Sequence, residues 1–278
     1  MLIYFLPISF LFGILIGSFL NVVIYRYNTG KGVDGRSQCL SCSSTLSWYE
    51  LIPVFSFVAL RGKCKNCGSK ISLQYPLVEL VTGILFALCF WFFFTSNFYY
   101  LYSFLLSLLF GLTASCLLVV ISVYDLRHKI VPDGLVYAFV VLGFVQFFVT
   151  HPFSKVFEFP MILDLLAGPI LFLPFFLLWF ISGGRWMGLG DGKLALGIGA
   201  FLGLARGLSA VVLGFWIGAA WSLLAIVYQK VRSKKAEISG QLGLKSEIPF
   251  APFLILGFFL AWFLAFDFFQ LHFLLPLM

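Results

Sequence analysis

The sequence predicts an all-α, polytopic membrane protein of about eight transmembrane helices, with one small four-cysteine loop domain between the first and second. Three observations predict it. Apolar residues make up 62% of the chain and charged residues only 10%, with a mean hydropathy of +1.05, a balance incompatible with a water-soluble globule. The apolar residues fall in runs that repeatedly reach the roughly 18 residues needed to span a bilayer. The basic residues gather between alternate runs, which is the pattern of membrane topology rather than of nucleic-acid binding, although the net charge is +7.

Taken in order, the apolar spans read 2–25, 77–95, 101–124, 134–150, 161–182, 194–205, 207–228 and 250–270. The first carries no basic leader region and no small-residue cleavage site, so it reads as a retained helix. Segments 26–75, 125–133, 183–193 and 229–249 hold 7, 2, 2 and 5 lysines and arginines, that is 16 of the 18, leaving only Lys155 and Arg206 on the other side. Those four segments are therefore expected in the cytoplasm and both termini outside it. The expected organisation is a first helix over 1–25, a cytoplasmic cysteine domain over 26–75 and a seven-helix membrane domain over 76–278.

Segment 194–205 is short, rising only about 18 Å as a helix against a hydrocarbon core of roughly 30 Å. Because its flanking loops share one side, it must pair with 207–228 and turn near Arg206. An earlier start, around Leu189, would place Asp191 in the first turn, where the helix dipole favours a carboxylate.

Gly188-Leu189-Gly190-Asp191-Gly192-Lys193 sets an acid among glycines that can adopt φ > 0 and admit a close backbone. One reading is a turn with Asp191 as a cap; the other is chemistry, which needs a partner. Asp125 is the candidate, at the cytoplasmic end of the third span in Asp125-Leu126-Arg127-His128-Lys129-Ile130-Val131-Pro132-Asp133. Pro132 suits the start of the next helix, and Asp133 suits its cap. Two carboxylates brought together at a wet membrane edge share a proton, so that one activates water while the other polarises a peptide carbonyl. No serine–histidine constellation competes: His151 and His272 fall on the far side, and His128 has no nucleophile beside it. Glu50, Glu79 and Glu237 read as solvated or helix-start acids.

The 26–75 loop contains Cys39-Leu40-Ser41-Cys42 and Cys64-Lys65-Asn66-Cys67, two CxxC pairs with the composition of a four-thiolate zinc site. Two disulfides are the alternative, disfavoured in a reducing cytoplasm. Zinc would supply folding energy to a segment with little apolar mass of its own. Cys89 and Cys116, inside apolar spans, read as small hydrophobes.

Taken with Gly17-Ser18-Phe19-Leu20-Asn21-Val22-Val23-Ile24-Tyr25-Arg26, Trp48-Tyr49-Glu50-Leu51-Ile52-Pro53, Leu60-Arg61-Gly62-Lys63-Cys64 and Ile71-Ser72-Leu73-Gln74-Tyr75-Pro76-Leu77-Val78-Glu79, these motifs cover about the first 195 residues. In this order they resemble the bacterial type IV prepilin peptidases, GxGD membrane aspartic proteases. The resemblance implies that Asp125 and Asp191 are catalytic and Asp133 is not. From the residues themselves, Gly188, Gly190 and Lys193 are expected to support the catalytic loop, and Cys39, Cys42, Cys64 and Cys67 to hold structural zinc. The resemblance also implies prepilin or pseudopilin substrates, and a second activity that N-methylates the new N-terminus from S-adenosylmethionine. The motif over 17–26 and the cysteine loop are associated with that reaction, but no Rossmann-type glycine fingerprint marks a donor site. The chain departs from common forms at Leu40, Leu51 and Gln74, none beside the aspartates.

The place so implied is the bacterial cytoplasmic (inner) membrane, with the active site at its cytoplasmic face, lipid as a partner and no nucleic acid. Two other functions remain open at this stage. One is a GxGD intramembrane protease without methyltransferase activity, against which the cysteine loop counts; the other is a proton- or cation-coupled transporter, against which the lack of an internal repeat counts.

Overall fold

The computed structural model describes residues 2–30, 32, 35–97, 101–151, 156, 158–159, 161–233 and 249–269; Glu237 and His272 lie outside these. The described residues form helices and turns, with no strand beyond two isolated bridges. Five helical segments are long and apolar enough to cross a membrane: Tyr4–Arg26, Gln74–Thr95, Leu101–His128, Asp133–Thr150 and Leu189–Tyr228. Two shorter apolar helices, Ala167–Ser182 and Ala251–Phe263, accompany them. The chain divides into compact units Met1–Val120 and Ile121–Met278.

The first unit is built on α1 (Leu2–Arg26) and α3 (Gln74–Asn97). A Cβ on Gly13 would stand 2.8 Å from the Gly83 Cα, and one on Gly17 would stand 2.7 Å from the Glu79 Cα. The two backbones therefore touch along a small-residue seam, the usual way helices pack where lipid removes the hydrophobic drive. Further along, Asn21 Nδ2 donates to the Tyr75 carbonyl at 3.1 Å and the Tyr25 and Tyr75 rings stack at 5.1 Å. Rising numbers on α1 meet falling numbers on α3, so the pair is antiparallel and the loop between them leaves and returns on one side.

That loop carries a 3₁₀ turn (Trp48–Leu51) and the short helix α2 (Phe55–Ala59). Glu50 accepts from the Ser47 N–H at 2.8 Å, the helix-start role expected of it. Glu79 does not behave as a solvated acid: it is buried, and it accepts from the Val54 N–H at 2.7 Å. Val54 has φ 61 and ψ −50, and Phe55 N–H reaches the Pro53 carbonyl at 2.6 Å. This is the strained, positive-φ form of γ-turn, uncommon for a β-branched residue, and the carboxylate holds it in place.

The second unit contains the end of α4 (Leu101–His128), then α5 (Asp133–Thr150), α6 (Met161–Leu165), α7 (Ala167–Ser182), α8 (Leu189–Ser233) and α9 (Ala251–Phe263). The single span expected over 161–182 is broken at Leu166 into α6 and α7. Pro169 explains the break, since its ring opposes the carbonyl four residues back. The span expected to run to 270 stops at Phe263, where Ala265 takes φ 49 and Phe266 N–H closes on the Ala261 carbonyl at 3.0 Å, a left-handed helix stop.

The expected pairing of 194–205 with 207–228 is present as two limbs of α8. The first limb begins at Leu189, with Asp191 in its opening turn. The turn falls at Gly203 rather than Arg206, because Gly203 takes φ 75 and ψ −177, available to a residue without a Cβ. A Cβ on Gly207 would stand 3.3 Å from the Gly199 Cα, so the limbs lie against each other. Asp164 of α6 accepts from the Leu204 N–H at 2.7 Å and so caps the second limb.

Candidate active site

Asp125 sits in the last turns of α4 and is 3% exposed. Its Oδ2 accepts from the Ala251 N–H at 3.2 Å. Ala251 is the first residue of α9, so the carboxylate meets the free amides and positive dipole end of a helix. Pro252 at the helix start fixes where those amides begin. Sequence reading gave this segment no functional part; the proline on either side of Phe250–Ala251 was the available signal, and it names a helix start without naming what the start faces.

Asp191 occupies the first turn of α8, and its charge lies within electrostatic range of Asp125. The local glycines meet one half of the expectation, close approach, and not the other, positive φ. None of Gly188, Gly190 and Gly192 has positive φ; that conformation falls at Gly183 and Gly184, just past the end of α7. What Gly190 and Gly192 supply is closeness. A Cβ on Gly190 would stand 2.8 Å from the Val131 Cβ, and one on Gly192 would stand 3.0 Å from the Phe175 Cβ. The aspartate turn is thereby seated on the 129–132 loop and on α7. Gly188 is different again: among the described residues, a Cβ there would meet within 4 Å only Asp191 Oδ2 at 3.8 Å and the Gly190 nitrogen at 4.0 Å, leaving space beside the carboxylate.

Lys193 turns away from Asp191. Its Nζ donates to Asp133 Oδ1 at 2.8 Å and lies 5.3 Å from the Tyr137 ring centroid. Asp133 is the first residue of α5, with a largely exposed side chain, so this ion pair joins the starts of α5 and α8 at the surface. His128 ends α4 with its ring 4.4 Å from the Tyr124 ring, in the last turn rather than in a loop.

The cysteine cluster is the second site. The Sγ atoms of Cys39, Cys42, Cys64 and Cys67 all lie within 4.8 Å of one another, and none is in a disulfide. Two matching turns bring them together. Cys39 N–H donates to the Ser44 carbonyl and Ser43 N–H returns to the Cys39 carbonyl, both at 2.9 Å; Cys64 and Ser69, then Gly68 and Cys64, repeat the pattern at the same distances. Ser44 Oγ lies 3.1 Å from Cys42 Sγ, as Ser69 Oγ does from Cys67 Sγ. The repeat is visible in the sequence as Cys-x-x-Cys-x-Ser, a pairing that the sequence analysis did not draw.

Backbone N–H groups of Cys42 and Ser41 point at Cys39 and lower its thiol to about 6, outweighing its slight desolvation. Preformed donors of this kind favour thiolate, the form that binds a metal. A tetrahedral ion with metal–sulfur bonds of about 2.3 Å needs sulfurs roughly 3.8 Å apart. Cys39 and Cys67 stand at 3.9 Å, so the cluster fits a metal ion.

Residues 11–93 match the bacterial peptidase A24 N-terminal domain, and residues 112–223 match the type IV leader peptidase family. The first match contains all four clustered cysteines, and the second contains both aspartates. A relative from Myxococcus xanthus is 35% identical over 202 residues, covering 69% of this chain and 54% of that protein. One from Klebsiella pneumoniae is 33% identical over 203 residues, covering 69% of this chain and 84% of its own length. A Bacillus subtilis relative is 46% identical over 83 residues, 30% of this chain and 34% of its own. Each of the three carries the name prepilin leader peptidase/N-methyltransferase. The chain thus spans about half the length of the Myxococcus protein and most of the Klebsiella one. No solved structure matches.

Proposed function

This chain belongs to the type IV leader peptidase family, and on that footing we propose that it is a membrane aspartic endopeptidase that removes the leader from type IV prepilins or pseudopilins and N-methylates the N-terminus so exposed. The observation that carries the peptidase reading is the pair of carboxylates, Asp125 buried against the first amide of α9 and Asp191 in the first turn of α8, within electrostatic range of each other.

Their roles follow from ordinary acid–base chemistry. The ionised aspartate takes a proton from water as the oxygen attacks the scissile carbonyl, and the protonated aspartate donates to the carbonyl oxygen. Collapse of the tetrahedral adduct returns that proton to its aspartate while the other aspartate passes the proton it took from water to the departing nitrogen, so the C–N bond breaks and leaves a leader carboxylate and a new amine. The helix-start amide on Asp125 holds one carboxyl in position through the cycle. The space beside Gly188 suits the approach of an extended peptide, and the close seats of Gly190 and Gly192 keep the turn from drifting. Lys193 supports the loop through Asp133 rather than through Asp191.

We assign the cysteine cluster to structural zinc, held by Cys39, Cys42, Cys64 and Cys67, with the ion supplying cross-linking and no chemistry to the cleavage. S-adenosylmethionine as methyl donor rests on family membership. The site is proposed to face the cytoplasm at the inner membrane, the side that the excess of basic residues in its flanking loops favours. The paired matches and the thiolate cluster count against a transporter or a protease lacking the N-terminal domain.

The test is cleavage of a tagged prepilin in membranes by the parent protein and by Asp125→Asn, Asp191→Asn and Asp133→Asn, with a mass spectrum of the mature N-terminus. Loss in the first two with retention in the third, and a product heavier by one methyl group, are expected. Full cleavage by either of the first two variants overturns the dyad.

A further inference from the structure

The cysteine domain exposes apolar side chains that its proposed metal role leaves unexplained. Trp48, Phe55 and Val58 are 77%, 71% and 68% exposed, and Leu51 and Ile52 are also exposed. All five lie on the 3₁₀ turn and α2 or on the link between them. An apolar group of this size in a segment between two membrane helices requires a cover.

Its height is fixed by one bond. The Val54 N–H, at the junction of that turn and α2, donates at 2.7 Å to Glu79 of α3. Glu79 is five residues beyond Gln74, where the membrane-spanning segment Gln74–Thr95 begins. At about 1.5 Å per residue, that is roughly 8 Å into the span. The strained γ-turn at Val54 thus holds Ile52 and Phe55 beside the opening turns of α3. Leu73 and Leu77, at that same end of α3, are exposed as well. The surrounding charge matches a lipid surface. Arg61, Lys63, Lys65 and Lys70 are all exposed and follow α2 directly, and Lys65 also braces the turn by donating to Tyr49 Oη at 2.8 Å.

We propose that the segment from Trp48 to Ala59 is an interfacial anchor. Its aromatic and aliphatic side chains lie in the headgroup–acyl boundary of the leaflet on the domain's side, and Arg61, Lys63, Lys65 and Lys70 meet anionic lipid phosphates. Aromatic rings at the headgroup level with cations above them are the physical composition of such anchors. Glu79 is a positioning residue in this arrangement, acting through the Val54 amide. The inference rests on α1 and α3 spanning the membrane and does not rest on the peptidase reading.

The test uses the full chain in nanodiscs of phosphatidylcholine with phosphatidylglycerol, carrying a benzophenone amino acid in place of Phe55, or of Val58 in a second variant. The same substitution at Leu11, exposed midway along α1, serves as the lipid-facing reference. After irradiation, lipid adducts at positions 55 and 58 are expected in the mass spectrum. Adducts to another part of the chain, to a second copy or to added prepilin, or no adduct at all, overturn the anchor. Replacing Lys63 by Gln should lower the lipid-adduct yield about fivefold, the equivalent of roughly 1 kcal/mol for one cation at an anionic surface. An unchanged yield overturns the part assigned to the basic residues.

Discussion

In the cysteine domain, four sulfurs come within 4.8 Å of one another through two turns that each close their own hydrogen bonds within six residues. At the aspartate site, Asp125 takes a hydrogen bond from an amide 126 residues away, and the turn of Asp191 is seated by Val131 and Phe175 from two other elements. The first site is assembled by local chain geometry and the second by the packing of helices. A local site is written in spacing; a packed one is written in the small residues that let helices close, which carry no chemistry of their own.

The largest expected effect tests the local site. Cys64→Ser should abolish metal binding, and since structural zinc contributes on the order of 10 kcal/mol, the 36–72 segment should become open to limited proteolysis. Metal content and proteolysis together read this, and retained stoichiometric metal would break the four-thiolate assignment. Asp125→Asn and Asp191→Asn come next. Each should lower prepilin cleavage by about 10²–10⁴-fold, the span of a general acid or base, with metal content unchanged.

A smaller effect is expected at the seat of the aspartate turn. Gly190→Ala inserts a methyl 2.8 Å from the Val131 Cβ, and overpacking of that kind costs about 1–3 kcal/mol. Cleavage should fall while the cysteine domain keeps its metal; normal cleavage would show that the packed site tolerates more slack than its contacts imply. The smallest change goes the other way. Ser43 takes φ 55 at the position where the matching turn has Gly68 at φ 69. Ser43→Gly should stabilise the metal-bound domain by up to about 1 kcal/mol, read as slower metal loss to a chelator.

These contrasts explain what could be read before the fold was known. The helices were legible because apolar runs of bilayer length admit few alternatives, and the paired limbs of α8 followed from counting sides of the membrane. The aspartates were legible as acids placed where acids are costly. The turn at Gly203 was misplaced by three residues because charge suggested Arg206, whereas backbone freedom decided it. The glycines around Asp191 were read for torsional freedom and for close approach, and only the second is used, at Gly190 and Gly192, as a property of whatever packs against them. Glu79 looked like a solvated acid because nothing near it in sequence reveals that Val54, 25 residues earlier, turns its amide inward. The Ala251 amide could not be found at all, since the alignment of α9 with α4 is a tertiary fact.

The cap on the second limb of α8 also sets an order of events. Asp164 precedes Leu204 by 40 residues, so in a chain made from its N-terminus the carboxylate exists before the amide it will receive. The first limb, about 20 Å long, is too short to settle across a bilayer by itself. The hairpin therefore becomes a stable insert only when its return limb has been synthesised and closed onto an acceptor already waiting. Biogenesis of the helical limb that bears Asp191 is in this sense templated by α6, and the acid with no part in the chemistry acts as a timing mark for the one proposed to perform it.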